Sequence, residues 1–444
     1  MLRRKIDQYL ISWKQRDKHK PLIIKGARQI GKTTSIREFG KTYESFVEIN
    51  FKQNPEYKKC FINYNPTEII KNISIYDPTF QFIPNNTLIL FDEIQDFPDA
   101  LTSFKFFYEQ STYDIIASGS LLGISYKKVS SIPVGFKEEY EMKSLDFEEY
   151  LWALGYDDDF IKDILSSMKQ FKQLNDVIYD TLDHKYKEYM YLGGMPEVIA
   201  SFVETKNYNQ PLATQLRIYK DYEDDIIKYV EGLDVAKVKN IYHSITTQLS
   251  KDNHKYQISK IAHGAKSRDY IGCHEWLVDA GIINICYNLK ELKTPFELYK
   301  EVDYFRCYYA DHGLFMASID KEDRNAIVKN DELDIFNGAI YESLISETLI
   351  NQGYNLYFYR NASSTIELDF LIRKDNHIIP IEVKKERGRA TSLINCINNP
   401  DINVSKGIKF SHQNIGRNNE CVTIPYFLSF LLGRFLEEID INEL

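Results

Sequence analysis

The sequence has little of what disulfide-bonded, zinc-binding or membrane proteins need. Its 444 residues include six cysteines and nine histidines. No two cysteines form a C-x-x-C pair, and the histidines show no zinc-ligand spacing. No apolar run approaches the roughly 20 residues that a membrane span needs, and the charged N-terminus lacks the apolar stretch of a signal peptide. We therefore expect a cytoplasmic protein with reduced thiols and no membrane contact.

The chain also lacks the excess of positive charge that coats nucleic acid. Its net charge is −9 and its pI is about 5.6, so any contact with DNA must depend on a local basic segment. Hydrophobic residues make up 43% and charged residues 27%, which is an ordinary globular balance. A chain of this length is expected to form two or three domains.

The first 150 residues begin with an amphipathic helix that has a basic face, within residues 1–20. Short apolar runs then alternate with helical stretches, a pattern that predicts a parallel sheet covered on both faces. From about 145 to 235 the pattern is helical, with a turn or helix boundary at Gly193–Pro196. The strands are expected at Pro21–Lys25, Phe46–Phe51, Thr87–Phe91, Tyr113–Ser118 and Phe136–Met142.

A glycine-rich segment after the first strand fits the phosphate-binding pattern G-x-x-x-x-G-K-[ST]. Its glycines let backbone amides and a helix N-terminus approach phosphate oxygens. Lys32 is expected to contact the β- and γ-phosphates of ATP, and Thr33 to bind Mg²⁺. The predicted nucleotide-binding residues are Gly26, Ala27, Arg28, Gln29, Ile30, Gly31, Lys32, Thr33 and Thr34.

Two later strands end in polar residues that are expected to complete the predicted ATP and Mg²⁺ site. The strand at 87–91 ends in Asp92, expected to orient the Mg²⁺ shell, and Glu93, expected to position or deprotonate the attacking water. Ser118 lies at the end of another strand, where a polar residue could sense the γ-phosphate; the alternative is a simple Ser/Gly turn. An extra strand between the two motifs resembles the additional-strand ATPases that include the AAA+ group.

Several segments together resemble bacterial and archaeal AAA-type ATPases with a C-terminal DUF4143 region. The resemblance covers nearly the whole chain and favours ATP over GTP. Family members often carry Gly-Arg after the sensor strand, where this chain has Gly135-Phe136. We therefore assign no arginine finger. Whether a neighbouring subunit completes the site stays open. The matching segments are Gly26–Thr34, Phe91–Gln95, Ser118–Ser120, Leu145–Glu149, Leu192–Pro196, Glu367–Phe370 and Ile381–Lys384.

The resemblance also implies a winged helix in the middle of the chain. A short amphipathic helix is predicted at Gln257–Ala265 and a second from Arg268 to about Ala280, with Ser267 as its N-cap and a strand after Gly281. The second helix could enter the major groove of duplex DNA, or the module could serve packing or protein contact. Asp269 and Glu275 would repel phosphate. The local basic residues are Lys251, Lys255, Lys260, Lys266 and Arg268.

The C-terminal segment resembles the PD-(D/E)xK nuclease core. Asp369 on one strand and Glu382 on the next could hold Mg²⁺, with Glu342 on the preceding helix as a third ligand. Lys384 shares a side of its strand with Glu382 and could stabilise charge on a scissile phosphate. The alternative is an inactive nuclease-like fold that serves as a binding or scaffold domain.

The predicted architecture is therefore an α/β chain with four regions. A P-loop AAA-type domain (1–150) precedes a helical lid or linker (151–235), a winged helix (236–300) and a C-terminal nuclease-like domain (301–444). The leading hypothesis is an ATPase that couples nucleotide state to a conformational change, with DNA as a candidate partner. The alternatives are an ATP-gated nuclease and a non-catalytic, nucleotide-dependent adaptor that recruits a protein through its helical region.

Overall fold

The fold is described from a computed structural model of the chain. It covers all residues except 121–132, 251–254, 262, 263, 271, 331–336, 385–389, 400, 401, 403, 405, 420, 442 and 443. Two compact units are formed, Met1–Ser144 with Asp279–Gly281, and Leu145–Val278 with Ile282–Leu444. Across these described ranges, no helix is both long enough and apolar enough to span a bilayer.

The first unit is built on a five-stranded sheet in the order β2-β3-β4-β1-β5, with every neighbouring pair parallel. The inner strands are almost wholly buried, as expected where helices cover both faces. The predicted parallel sheet is confirmed. Its strands are β1 (Leu22–Gly26), β2 (Ser45–Asn50), β3 (Thr87–Asp92), β4 (Asp114–Ser120) and β5 (Glu138–Glu141).

Four helices accompany this sheet in the described residues. The predicted N-terminal amphipathic helix is present, with Ile6, Leu10 and Trp13 buried on one side. The helices are α1 (Lys5–Lys14), α2 (Lys32–Gly40), α3 (Pro66–Tyr76) and α4 (Phe104–Gln110), with 3-10 turns at Pro55–Cys60, Ile94–Asp96 and Pro98–Ser103.

The second unit begins with helices, which confirms the predicted helical middle. The segment Leu145–Glu149 is a helix start, because the Asp146 side chain caps the Glu149 amide at 3.0 Å and Glu149 accepts from the Asp146 amide at 3.2 Å. The helices are α5 (Phe147–Ala153), α6 (Asp158–Lys169), α7 (Asp176–Leu192), α8 (Pro196–Thr205), α9 (Asn209–Tyr229), α10 (Val235–Leu249) and α11 (Cys273–Asp279).

The turn between α7 and α8 is a point of very close packing, which we call the glycine joint (Leu145, Gly193, Gly194 and Asp311). Gly193 has a φ of 68°, which favours glycine. The Leu145 amide donates to the Gly194 carbonyl at 2.7 Å, and the Gly194 amide donates to Asp311 Oδ2 at 2.9 Å. A Cβ on Gly194 would lie 2.1 Å from the Leu145 carbonyl oxygen. The helix boundary predicted at Gly193–Pro196 is confirmed. Its two glycines are needed because the neighbouring backbone leaves no room for a Cβ atom.

The two helices predicted for the winged helix are shorter than expected. Among the described residues of 257–265, only Ile258–Lys260 forms a 3-10 helix, while residues 262 and 263 lie outside the described residues. The second helix is divided into a 3-10 turn at Ser267–Tyr270 and the seven-residue α11. Gly272 lies between these pieces with a φ of 82°, a left-handed conformation that a regular helix does not continue through. The winged helix itself stays a prediction.

The rest of the second unit forms a mixed eight-stranded sheet in the order β12-β13-β11-β10-β9-β8-β6-β7. The domain boundary predicted between residues 300 and 301 falls at the first residue of β7, a strand that pairs with β6. The predicted helix that carries Glu342 and the two predicted strands that carry Asp369 and Glu382 are all present. The strands are β6 (Ile283–Leu289), β7 (Lys300–Tyr309), β8 (Tyr357–Arg360), β9 (Glu367–Lys374), β10 (His377–Val383), β11 (Gly407–Ser411), β12 (Gly416–Arg417) and β13 (Cys421–Pro425).

Five helices accompany this mixed sheet in the described part of the chain. They are α12 (His312–Ser318), α13 (Lys321–Asn330), α14 (Asn337–Asn351), α15 (Thr391–Ile397) and α16 (Leu432–Glu438).

Candidate functional site

The predicted phosphate-binding loop connects the end of β1 to the start of α2. Gly26 closes the strand, and a Cβ there would lie 2.3 Å from the Met142 carbonyl oxygen, so only glycine fits. Gln29 and Gly31 have φ values of 61° and 90°, which turn the chain sharply before Lys32 begins the helix. This strand, tight turn and helix N-terminus are the context that the motif requires.

The Lys32 side chain is folded back on the loop. Its Nζ donates to the carbonyls of Gly26 at 3.0 Å and Ala27 at 2.6 Å. Burial lowers the pKa of Lys32 to about 8, although the nearby charges of Glu93 and Asp92 oppose that shift. To contact a phosphate, the ammonium must exchange these carbonyls for anionic oxygens.

Asp92 receives hydrogen bonds from three different elements. Its Oδ1 accepts from Thr33 Oγ1 at 3.1 Å and from the Ser118 hydroxyl, and its Oδ2 accepts from Asn50 Nδ2 at 2.9 Å. The donors come from α2, β4 and β2 because the carboxyl ends of parallel strands share one edge of the sheet. The two predicted Mg²⁺ ligands, Thr33 and Asp92, are therefore adjacent, and this hydroxyl–carboxylate pair fits a magnesium ion.

Glu93, the predicted base, is held beside Asp92 by a turn and a side chain. Its φ of 53° is unusual for a residue other than glycine and turns the chain out of β3. The Gln95 Nε2 donates to Glu93 Oε2, and the Gln95 Oε1 accepts from the Ser120 amide at 3.3 Å. One amide side chain thus connects the candidate base to the end of β4.

Three residues of this region were missed by reasoning from the sequence. Asn50 and Gln95 orient the two acidic residues, and the polar position at the end of β2 was a usable signal for Asn50. Arg4 donates to the Ile30 carbonyl at 2.9 Å and to the Lys143 carbonyl at 2.8 Å, which braces the phosphate-binding loop. Nothing in the sequence pattern distinguishes Arg4 from the other basic residues of the first helix.

The predicted nuclease-like residues also lie together, around a residue that the sequence reasoning did not include. Arg306 on β7 is 1% exposed, and its guanidinium lies 3.2 Å from Glu342, 2.6 Å from Glu367 and 3.8 Å from Asp369. Lys384 Nζ lies 2.6 Å from Glu382 Oε1. We call these six residues the carboxylate cluster.

Burial dominates the proton affinities in the carboxylate cluster. It raises the pKa of Asp369 to about 6, with the charge of Glu342 adding to the shift and Arg306 opposing it. It raises the pKa of Glu382 to about 8, with the charge of Asp369 adding to the shift and Lys384 opposing it. Buried carboxyl groups that share a site commonly behave in this way.

The resemblance to nucleases implies Mg²⁺ in this cluster, and the arrangement does not fit that ion. Within the described ranges, no group of three or more His, Cys, Asp or Glu side chains is arranged to hold a metal. Mg²⁺ needs octahedral oxygen ligands at about 2.0–2.1 Å, and here the carboxylates are paired with Arg306 and Lys384. The predicted metal site at Glu342, Asp369 and Glu382 stays a prediction, and in the structure these carboxylates take part in ion pairs with Arg306 and Lys384.

The basic residues of the predicted winged helix make contacts of their own. Arg268 Nε lies 3.7 Å from Asp269 Oδ1, and Lys255 Nζ lies 4.0 Å from the centre of the Tyr304 ring. Lys251 lies outside the described residues. Arg268 therefore has an acidic neighbour, Asp269, at the exposed surface.

Comparison with known families divides the chain into three segments. Residues 18–151 match a family described as an AAA domain, and residues 337–427 match the domain of unknown function DUF4143. Residues 183–325 match a second domain of unknown function, DUF8612. No curated protein matches the chain.

Three solved structures are similar to parts of the chain. The Walker-type ATPase Paby2304 of Pyrococcus abyssi has 11% identity and a TM-score of 0.40, over 72% of this chain and 96% of its own. PCH-2 of C. elegans has 10% identity and a TM-score of 0.23, over 34% and 44%. The Hsp104–ADP complex of S. cerevisiae has 12% identity and a TM-score of 0.27, over 63% and 38%.

The chain thus carries an AAA-type P-loop ATPase domain in its N-terminal part and a DUF4143 domain in its C-terminal part.

Proposed function

We propose that this protein is a Mg²⁺-dependent ATPase whose nucleotide state changes the conformation of its C-terminal half. The observation that carries the proposal is the convergence of Lys32, Thr33, Asp92 and Glu93 at one edge of the parallel sheet, next to a loop shaped for phosphate. Membership of an AAA domain supports ATP as the nucleotide. The roles of individual residues remain part of the proposal.

Lys32 and the amides of the phosphate-binding loop would bind the β- and γ-phosphates of ATP. Thr33 and Asp92 would hold Mg²⁺, which supplies charge neutralisation at the phosphates when bound. Thr33 would then give up its 3.1 Å bond to Asp92, while Ser118 and Asn50 keep that carboxylate oriented. Ser118 is thereby proposed as a sensor acting through Asp92.

Glu93 would accept a proton from the attacking water, with Gln95 holding its carboxylate in place. A positioned general base contributes about 10²- to 10⁴-fold to rate. We therefore expect Glu93→Gln to bind ATP normally and to hydrolyse it at least about 100-fold more slowly.

The test is steady-state ATP hydrolysis by the purified chain with Mg²⁺, beside Lys32→Ala and Glu93→Gln. Lys32→Ala should lose ATP binding, and Glu93→Gln should retain bound ATP. Lys52→Ala and Glu44→Gln replace exposed residues of the same unit and serve as matched controls that should behave as the wild type. Hydrolysis by Glu93→Gln at the wild-type rate would refute the assignment of the base.

The same assay separates the finer alternatives. Turnover that duplex DNA accelerates would support a DNA partner through residues 236–300, and turnover indifferent to DNA would favour a protein partner. Tight ATP binding without turnover would favour the nucleotide-dependent adaptor. Nicking of DNA that needs Mg²⁺ or Mn²⁺ and is lost in Asp369→Ala would favour the ATP-gated nuclease.

A further inference from the structure

The carboxylate cluster contains four acidic side chains and two basic ones. Glu342, Glu367 and Asp369 surround the guanidinium of Arg306, and Glu382 pairs with Lys384. Arg306 is 1% exposed and Glu342 Oε2 also accepts from the Tyr308 hydroxyl at 3.1 Å. A buried group of carboxylates needs a cation, because unpaired charges in a protein interior are very costly.

The Arg306 side chain is held among the carboxylates by an aromatic ring and by its ion pairs. The side chain leaves β7 and passes over the ring of Phe358 on β8, with Cζ 4.4 Å from the ring centre. The guanidinium then reaches Glu367 and Asp369 on β9 and Glu342 on α14. Such a planar, permanently charged group can contact several carboxylates at once, as a metal ion would.

Both oxygens of Asp369 face groups of this protein. Its Oδ2 accepts from the Val383 amide at 2.8 Å, and its Oδ1 faces Arg306. Glu382 Oε1 is taken by Lys384. The remaining oxygen of Glu382, Oε2, is buried and has no hydrogen-bond partner. A divalent ion at these carboxylates would therefore meet the guanidinium of Arg306 in the space between Glu342, Glu367 and Asp369.

We propose that the guanidinium of Arg306 is the resident cation of the carboxylate cluster and closes it to divalent metal. The proposal is independent of ATP hydrolysis at the phosphate-binding loop. On this proposal the C-terminal domain is a scaffold or binding domain with a nuclease-like set of residues. Arg306 is then the residue that keeps the carboxylate cluster from binding a divalent metal ion. Removing Arg306 should convert the cluster into a metal site.

The test compares Mn²⁺ binding, measured by electron paramagnetic resonance and by calorimetry, in the wild type, Asp369→Asn, Arg306→Met and the double variant. Methionine keeps much of the length and apolar stem of arginine without its charge. The measurements are made without nucleotide, so that the phosphate-binding loop contributes equally to all four proteins.

We expect the wild type and Asp369→Asn to bind Mn²⁺ equally. Arg306→Met should bind one additional Mn²⁺ and show a melting temperature that rises with Mn²⁺, and both effects should disappear in the double variant. Mn²⁺ binding by the wild type that Asp369→Asn abolishes would overturn the proposal. A folded Arg306→Met that binds no additional ion would overturn it as well. If Arg306→Met does not fold, the comparison of wild type with Asp369→Asn still decides.

Discussion

ATP binding by this protein should weaken in mildly alkaline solution because of a single lysine. In the structure the Lys32 ammonium is enclosed by the phosphate-binding loop and donates to the carbonyls of Gly26 and Ala27. Burial lowers its pKa to about 8. A phosphate group beside the ammonium would favour its charged form. ATP therefore binds best while Lys32 is protonated, and affinity is lost as the pH rises through about 8.

The size of the effect follows from the titration of one group. With a pKa of about 8, Lys32 is about 90% charged at pH 7 and about 3% charged at pH 9.5, so the dissociation constant should rise about 30-fold between them. This corresponds to about 2 kcal/mol. A terminal phosphate loses its second proton near pH 6, so the charge of ATP is already constant over most of this interval.

The measurement is equilibrium binding of ATP with Mg²⁺, at constant ionic strength, at half-unit steps from pH 7 to pH 9.5. Lys32→Arg is the matched control, because a guanidinium stays charged throughout and its affinity should not change with pH. Lys32→Ala should bind weakly at every pH. A wild-type affinity that is constant across the interval, or a Lys32→Arg profile that follows the wild type, would show that the lysine does not titrate as argued.

Two further predictions concern residues that position others. Gln95→Ala should lower kcat about 10- to 100-fold with little change in ATP affinity, since hydrogen bonds to charged groups contribute about 1.5–3 kcal/mol. Gln53→Ala, at an exposed position, is the control. Equal rates for the Gln95→Ala variant and the wild type would show that the Gln95 amide is not needed. Gly194→Ala should lower the free energy of unfolding by at least about 1–3 kcal/mol, because its Cβ would lie 2.1 Å from a carbonyl oxygen. Denaturant titration beside Gly416→Ala, where the nearest atom is 3.8 Å away, measures it, and equal stabilities would contradict the packing argument.

The sequence was sufficient for those parts of the fold that depend on local pattern. The strands at Leu22–Gly26 and Thr87–Asp92 are short apolar runs followed by polar residues, and the structure has them within a residue of the predicted limits. The second predicted helix of the middle segment is shorter than predicted because Gly272, with its left-handed φ, interrupts it immediately before α11. Whether a glycine interrupts a helix depends on the conformation that tertiary packing imposes, which no local pattern contains.

The two candidate sites also differ in how far local sequence pattern could predict them. The residues of the phosphate-binding loop follow one another in the chain, so a single motif predicted their arrangement. Arg306 meets Glu342 and Glu367 across 36 and 61 positions, and nothing in the sequence around it signals that contact. The resemblance that predicted a metal ion at Glu342 and Asp369 therefore gave no signal of the guanidinium that lies beside them.

Beside the glycine joint, one tyrosine hydroxyl contacts two oxygen acceptors. The Tyr189 hydroxyl lies 2.8 Å from the Leu145 carbonyl oxygen and 3.0 Å from Glu347 Oε1, and it owns one proton for these two acceptors. Burial holds the pKa of Glu347 well above its usual range, and the charge of Asp311 adds to this shift. A protonated Glu347 would provide the missing proton at Oε1, while its Oε2 accepts from the His312 amide at 2.7 Å. The start of α5, the end of α7 and the start of α12 are thus connected through one carboxylic acid that works as a donor and an acceptor at once.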